Sequence, residues 1–483
     1  MLNFRVLFKV MGMLLVGESI AMFLAFLVAI LYREPDIQSF GISSSITLLS
    51  GLLSILIGRK TTDQMIGRRE GYIIVALVWI VFSFFGALPF VIGGFIPSYT
   101  DAFFETMSGF TTTGASILED IESLPHGILF WRSMTQWLGG MGMIVLSLAI
   151  LPILGIGGMQ LFIAEVPGPT PDKLRPRIRE TAKQLWGIYF LLTLMETIFL
   201  IFGGMSLFDA VCHSFTTMAT GGYSTKQASI GHWDSAYIHY VITLFMFLAG
   251  TNFTLTYFAI HRKFGKIRTN EEFKWYLFFI GAFTLVIALG LMFHNNHSLE
   301  QNFRDSLFQV VSIITTTGYA TVDYMIWSPV LILVLFTLFF FGGSAGSTGG
   351  GIKIVRIVLL LRNGWYELKR LIHPNAVIPV LYNKKLVTDQ IILNVLAFFI
   401  IYLIIFFGSV IIFTFSEPDL AAAMGAVATS LGNIGPGLGE LGPASNFYKI
   451  NDFGKWFLSF LMLLRRLELF TILVIFTPSF WRK

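Results

Sequence analysis

The sequence predicts an all-α polytopic membrane protein: four pseudo-repeats of span, pore helix, filter turn and span around one central pore, plus two extra N-terminal spans. Three observations carry that expectation. Charged residues are 13% of the 483 and hydrophobic residues 55%, whereas an ordinary soluble domain has about 25% and about 45–50%. The apolar residues gather into runs long enough to cross a hydrocarbon core of about 30 Å. Between those runs, one glycine-ended pattern recurs four times. Cytosolic enzymes, nucleic-acid binders and disordered scaffolds are set aside by the composition alone.

At the N-terminus, Arg5 and Lys9 precede an apolar run from Val10 to Tyr32 interrupted only by Glu18 and Ser19. The run exceeds the ~7–15-residue core of a cleaved signal and reads as a retained first span. Further apolar windows lie near 40–58, 71–92, 127–154, 184–203, 236–260, 275–293, 327–361, 390–415 and 453–477. Ten crossings put both termini on one side. That side collects 25 of the 33 basic residues, including Arg59, Lys60, Lys173, Arg175, Arg177, Arg262, Lys369 and Arg370, and is therefore expected to be cytoplasmic. The other side keeps Arg33, Arg132, Lys226, Arg304, Lys449 and Lys455 among acids such as Asp101, Glu105, Glu122, Asp209 and Asp305. Its mouth is expected to attract cations. The single cysteine, Cys212, excludes an intramolecular disulfide and argues against redox chemistry.

Each of the last four outer connections holds a helical stretch too short to span, followed by a small or hydroxyl-rich run ending in glycine. The four are Phe103 to Gly114, Val211 to Gly222, Leu307 to Gly318 and Met424 to Gly435. In the first three an aspartate stands thirteen residues before the glycine, as Asp101, Asp209 and Asp305; in the fourth, Asp419 lies three further upstream. The glycines are 108, 96 and 117 residues apart, which marks a diverged fourfold repeat. Residues 1–70 supply the two extra spans, and the repeats occupy 71–160, 161–265, 266–370 and 371–483. A single copy could be an outer loop with an amphipathic helix, but four copies at matching positions favour segments that enter the membrane. Irregular backbone at that depth is tolerated where it is buried in protein or lines a cavity.

A dehydrated cation needs oxygen ligands, which peptide carbonyls supply without fixed charge. Turning successive carbonyls inward calls for backbone conformations that glycine adopts at least cost, which gives a reason for Gly114, Gly222, Gly318 and Gly435. The short helices precede these turns, so their C-terminal ends, each equivalent to roughly half a negative charge, should aim at the pore centre. The threonines at 111–113 and 315–317 either line the turns or satisfy local backbone.

At these residues the chain resembles the potassium-translocating membrane subunits of the Trk/Ktr/HKT superfamily, and within it the bacterial TrkH branch. The likeness runs over essentially the whole length. It rests on TTTGA at 111–115, WLGGMG at 137–142, GIGGMQ at 155–160, GGYST at 221–225, GGSAGSTGGGIK at 342–353, LKRLIHPNAV at 368–377, LGNIGPGLG at 431–439 and RLELF at 466–470. The resemblance implies potassium uptake across the bacterial cytoplasmic (inner) membrane through a filter with one glycine per repeat. The expected potassium ligands are backbone carbonyls of Thr111, Thr112, Thr113 and Gly114; Thr220, Gly221 and Gly222; Thr315, Thr316, Thr317 and Gly318; and Asn433, Ile434 and Gly435. Such a reduced filter should discriminate less against sodium and rubidium. The resemblance also implies a homodimer gated by a peripheral cytosolic TrkA-like subunit that binds a nucleotide (ATP, ADP or NAD). No cofactor is expected in this chain and no nucleic-acid partner. The basic inner face, notably Lys369, Arg370 and His373, suits either that subunit or lipid headgroups.

The second span of the third repeat contains Gly342, Gly343, Ser344, Gly346, Ser347, Gly349, Gly350 and Gly351 within ten residues. Each glycine costs a helix about 1 kcal/mol relative to alanine, so the helix is expected to break. Tight helix packing would need fewer small residues. The family resemblance places this segment, with Lys353, beneath the filter as a gate. In the last span, Arg465 and Glu468 can pair on one face, which leaves Arg466 as the expected free charge. At an effective dielectric near 20 and about 8 Å, it would repel a passing ion by roughly 2 kcal/mol; an arginine of the family's final RLE motif similarly lies below the filter. A purely structural ion pair is the alternative.

Two motifs are rejected. Gly437, Gly439 and Gly442 form a GxGxxG that follows a turn rather than a strand, and Gly346 to Lys353 resembles a P-loop but has Ile352 before the lysine and Ile354 after it. Cys212 and His213 read as packing residues of a pore helix, and Glu196 as a partner for a neighbouring helix rather than a proton relay. An ion-coupled secondary permease, a potassium symporter with protons or sodium, is the alternative transport reading. Its repeats would usually alternate in topology, whereas these all start from one side. An intramembrane enzyme would need convergent groups, and Glu18, Glu196 and Glu468 are scattered.

Overall fold

The computed structural model describes residues 3–59, 68–153, 178–294, 297–376, 378–466 and 468–482. The GIGGMQ stretch, the boundary at 160, Lys60, Lys173, Arg175 and Arg177, and Leu467 of the RLELF stretch lie outside the described residues. Among the described residues the regular structure is helical apart from an antiparallel hairpin that pairs Leu381–Tyr382 with Lys385–Leu386 and a single parallel bridge between Phe341 and Ile352.

The two extra spans, Phe4–Tyr32 and Ile37–Gly58, form a tightly packed pair. Their backbones approach because glycine faces glycine: a Cβ on Gly12 would lie 2.5 Å from the Gly51 oxygen, and one on Gly51 would lie 2.9 Å from the Gly12 oxygen. Small residues play this part between helices in lipid, where apolar burial gives no net drive to associate. The outer flank of Ile37–Gly58 is a strip of exposed leucines, including Leu49, Leu53 and Leu56, facing where the hydrocarbon would be.

Six described helices are long and apolar enough to cross a membrane: Phe4–Tyr32, Ile37–Gly58, Arg69–Ile92, Lys183–Phe202, Glu271–His294 and Asp389–Phe413. A seventh crossing is a bent pair, Ala236–Ala249 and Phe253–Ile260, angled by 108°. The other expected crossings lack one straight described helix. His126–Ile153 loses helical geometry at Gly142, with φ 1° and ψ −120°. The window 327–361 becomes Pro329–Leu338, an irregular stretch and Ile354–Ile372. The last is described as Asp452–Arg466 and Glu468–Ile475, on either side of a residue outside the described set. The expectation singled out the third repeat as broken, yet the second spans of the first and second repeats are interrupted as well. The bend after Gly250 and the kink at Gly142 need only one or two permissive residues, which a count of glycines passes over.

Four short helices occupy the centre: Tyr99–Phe110, Leu207–Met218, Leu299–Ile314 and Leu420–Gly432. Side chains accept backbone N–H bonds at each N-terminus, from Ser98, Ser206, Ser298 and Asp419, so the first turns do not leave orphan donors in the membrane. Every residue from Asp101 to Phe110 is buried. Irregular backbone at this depth is thus enclosed by protein, as it must be away from water.

Candidate functional site

Each central helix ends on the same motif. Thr112, Thr220, Thr316 and Asn433 have φ of 57°, 52°, 59° and 55°. In the first three helices the next N–H reaches back five residues, Thr113 to Ser108, Gly221 to Thr216 and Thr317 to Ser312, at 2.8 to 2.9 Å. This is a Schellman-type C-cap, in which the left-handed residue is usually glycine or asparagine. Threonine there is strained, by about 1–3 kcal/mol. Two residues on, Gly114, Gly222, Gly318 and Gly435 are again left-handed, with φ of 85°, 75°, 82° and 110°. An ordinary strand alternates its groups from side to side; reversing handedness at every second residue lets consecutive carbonyls turn to one side.

The four glycines form a closed ring. A Cβ on Gly114 would lie 2.1 Å from the Gly221 oxygen, one on Gly222 2.0 Å from the Thr317 oxygen, one on Gly318 1.7 Å from the Ile434 oxygen, and one on Gly435 3.1 Å from the Thr113 oxygen. Each turn therefore presses on the next, and the fourth presses on the first. The carbonyls of Thr113, Gly221, Thr317 and Ile434 share one level. At the first and third turns, hydroxyls brace within the turn: Thr111 with Thr113 and Thr315 with Thr317, each at 2.8 Å. Asn433 crosses from the fourth turn to the first, donating to Thr111 O at 2.9 Å and to Thr113 Oγ1 at 2.8 Å. Thr111–Thr113, Thr220 and Thr315–Thr317 are all buried, so these hydroxyls brace backbone within protein.

Behind the first two turns stands a buried polar lattice that the sequence did not disclose. Arg132 Nε donates to Glu105 at 2.9 Å and Nη1 donates to the Ser224 carbonyl at 3.1 Å. Its guanidinium also lies 4.2 Å from the Tyr223 ring centroid. Both charges are buried, at 1% and 0% side-chain exposure. The Tyr223 hydroxyl donates to the Glu105 carbonyl at 2.6 Å, and the Tyr319 hydroxyl donates to the His213 carbonyl at 3.2 Å. Glu105 and His213 hold the same place relative to their glycines, so each tyrosine staples its turn to the preceding central helix. The signal lay in the glycine-tyrosine pairs at 222–223 and 318–319.

The glycine-rich segment passes directly beneath the third and fourth turns. Gly350 N–H donates to Thr316 Oγ1 at 2.6 Å, and Gly351 N–H donates to the Gly432 carbonyl at 2.8 Å. Cβ atoms on Gly349 and Gly350 would lie 2.8 Å from the Thr315 oxygen and 2.2 Å from the Gly432 oxygen. Gly342 and Gly343 hold the base of the loop against Gly351 and the Gly250 carbonyl, and Gly346 lies against Asn252. The Thr348 hydroxyl bonds the Met218 carbonyl at 3.1 Å, which also ties the loop to the second repeat. Lys353 donates to Gly349 O.

One electrostatic expectation is corrected. Arg466 is not a free charge. Its guanidinium donates to Gly139 and Gly140 carbonyls behind the first two turns and stacks 5.1 Å from the Trp79 ring centroid. Interruption of the neighbouring helix near Gly142 exposes those acceptors, a consequence that spacing along the last span could not reveal. The Glu468 side chain lies outside the described residues. The vestibule that contains all four ring glycines has Arg132 and Lys226 as its charged lining residues, and Lys226 lies 3.7 Å from Glu122. Asp101 pairs with Lys455 at 2.6 Å, joining the fourth repeat to the first, and Glu105 is taken by Arg132.

His213 Nδ1 lies 2.7 Å from the Asp209 carbonyl and Nε2 lies 2.9 Å from the Ser224 hydroxyl. The carbonyl only accepts, so Nδ1 carries the proton and the ring is held by packing partners. Glu196 is fully buried where Ile178–Phe202 meets Leu207–Met218. Among the described residues, no group of three or more His, Cys, Asp or Glu could hold a metal ion. A monovalent cation at the ring would meet backbone oxygen.

Three comparisons bear on this geometry. The TrkH family model, described as cation transport protein, matches residues 41–483. The chain is 44% identical over 491 residues to the Trk system potassium uptake protein TrkH of Escherichia coli K12, covering 100% of both. It is 35% identical over 481 residues to the Trk system potassium uptake protein TrkG of the same strain, covering 99% of each. The crystal structure of the potassium transporter TrkH from Vibrio parahaemolyticus superposes with a TM-score of 0.89 at 40% identity, covering 100% of both chains.

Proposed function

The chain belongs to the TrkH family of cation transport proteins, and from that premise we propose that it is the potassium-translocating membrane subunit of a Trk uptake system. Potassium passes through a channel-like pore whose filter is the ring of glycine turns. The observation that carries this reading is the closed ring, each glycine set against the next repeat's carbonyl. Four uncharged oxygens at one level suit a monovalent ion that exchanges quickly, whereas carboxylates would hold it. The central helices add their negative ends from behind. The family is one of transporters, so no catalytic group is sought.

The segment 342–351 serves as the gate. Its backbone hydrogen bonds to the third and fourth turns support that role, because they seat it across the inner end of the ring. Both termini face the cytoplasm, a reading supported by the basic residues gathered on that side. Control from a cytosolic nucleotide-binding TrkA-like subunit and assembly as a homodimer rest on the family resemblance, with exposed Lys369 on Ile354–Ile372 a candidate contact.

The test is potassium and sodium flux through purified protein in liposomes. Gly318→Ser is expected to lower potassium-over-sodium selectivity sharply, since a Cβ there would lie 1.7 Å from the Ile434 oxygen. Unaltered relative uptake of the two ions in that variant would remove the ring from the ion path.

A further inference from the structure

Gln136 lies one helical turn beyond Arg132 on His126–Ile153 and is fully buried. Its Nε2 is 2.7 Å from the Gly221 carbonyl oxygen, and its Oε1 accepts from the Tyr223 backbone N–H at 3.0 Å. A backbone N–H can only donate, so the amide orientation is determined: oxygen on Tyr223, NH2 on Gly221. The two bonds bracket Gly222, whose φ is 75°, and hold the peptide plane on either side of it. A Cβ on Gly221 would come 2.4 Å from the Gln136 amide carbon, so glycine at 221 is what admits the amide.

The same Gly221 oxygen belongs to the ring, 2.1 Å from where a Cβ on Gly114 would stand. Thr113, Thr317 and Ile434 supply its counterparts. Among the described residues, a side-chain donor reaches a carbonyl of this level only at Gly221.

We infer that Gln136 is a positioning residue for ion selection, clamping the second turn so that one of the four ring carbonyls has a fixed direction and a partly compensated dipole. The inference rests on the reading of the ring as a potassium filter and names a determinant of its selectivity. A carbonyl that already accepts an N–H bond offers the ion its remaining lone pair and a weaker field. Discrimination among dehydrated cations follows the number and field strength of the carbonyl dipoles they meet. The ring is therefore three unshared oxygens and one shared, not four equivalents.

The experiment measures initial rates of potassium, rubidium and sodium flux in liposomes over a concentration series, alongside thermal unfolding of each purified protein. Gln136→Leu removes both hydrogen bonds with little change in volume. Gln136→Glu keeps the acceptor for Tyr223 N–H and sets a second oxygen against the Gly221 carbonyl. Both are expected to shift the potassium-to-sodium ratio of KM values by about fivefold, the equivalent of one hydrogen bond, with the larger shift in the glutamate variant. Trp137→Phe on the same helix, which loses a bond to Thr193 Oγ1 of 3.2 Å, is expected to leave the ratio unchanged. Rates that fall in the same proportion for all three ions would overturn the role of Gln136 and leave it a brace of the fold. If Gln136→Leu proves unfolded, the ratio in Gln136→Glu decides. A wild-type protein with no preference for potassium over sodium would instead overturn the filter reading itself.

Discussion

At the second turn the ring is clamped from behind by Gln136, and Arg132 of the same helix ties the Ser224 carbonyl just beyond that turn to Glu105 of the first central helix. At the third and fourth the ring rests from below on the backbone of a glycine-rich loop, through Gly350 and Gly351. A side-chain clamp on a packed helix shifts only when the helix shifts. Backbone contacts from a loop are released when the loop rearranges, and regions held by few apolar contacts are those that open at least cost. Under the proposed function, one ring joins a half held by side chains to a half held by a loop, so selection and gating would not need the same residues.

The largest effects should come from breaking the ring itself, and the four junctions are unequal. Alanine at Gly318, Gly222 or Gly114 would bring its Cβ within 1.7, 2.0 or 2.1 Å of a neighbouring carbonyl oxygen, whereas at Gly435 the nearest atom is 3.1 Å away. All four also force a left-handed backbone on a residue with a Cβ, worth about 1–2 kcal/mol. Potassium uptake is expected to be lost in the first three variants and retained best in Gly435→Ala. Equal uptake in all four would mean that the contacts between turns do not set the filter.

Next in size is the clamp on the half held by side chains. Arg132→Ala leaves Glu105 buried and without its partner, a change that costs about 3–5 kcal/mol for a buried pair. Thermal unfolding of the purified protein should register that loss, and the first two turns should be the region whose backbone amides exchange faster. Lys455→Met breaks a second buried pair, with Asp101 at 2.6 Å, and should destabilise the junction of the fourth repeat with the first by a similar amount. If both variants unfold at the wild-type temperature, neither pair holds the ring.

What the sequence disclosed, and what it hid, follows the same division. Glycine is informative where the backbone demands it, so the four turns and the weak third inner span were legible from residue type and recurrence. Contacts across the bundle were not. Arg132 and Glu105 are 27 residues apart and Arg466 and Gly139 are 327 apart, and apolar windows report depth without reporting which faces meet. The aspartate thirteen residues before each of three glycines had the same spacing but not the same role. Asp101 and Asp209 sit in the first turn of 12-residue helices. The third helix has 16 residues and starts a turn earlier, which moves Asp305 to its interior. The left-handed threonines were hidden because propensity assigns that conformation to glycine or asparagine; surrounding structure overrides it.

The smallest expected effect separates the halves most cleanly. Thr316 and Thr220 hold equivalent left-handed positions in the third and second turns, with φ of 59° and 52°. Thr316 Oγ1 accepts the Gly350 N–H at 2.6 Å, whereas Thr220 Oγ1 donates to the Ala219 carbonyl at 2.6 Å within its own turn. Valine at either site keeps the branched shape and removes the oxygen, about 1 kcal/mol for one hydrogen bond. Thr316→Val should therefore loosen the loop and raise potassium flux at fixed gradient by about fivefold, while Thr220→Val should not. Both lose whatever the hydroxyl gives an ion, so that contribution cancels in the comparison. Equal flux in the two variants would show that the loop is not held by the third turn, and would make the two halves of the ring alike.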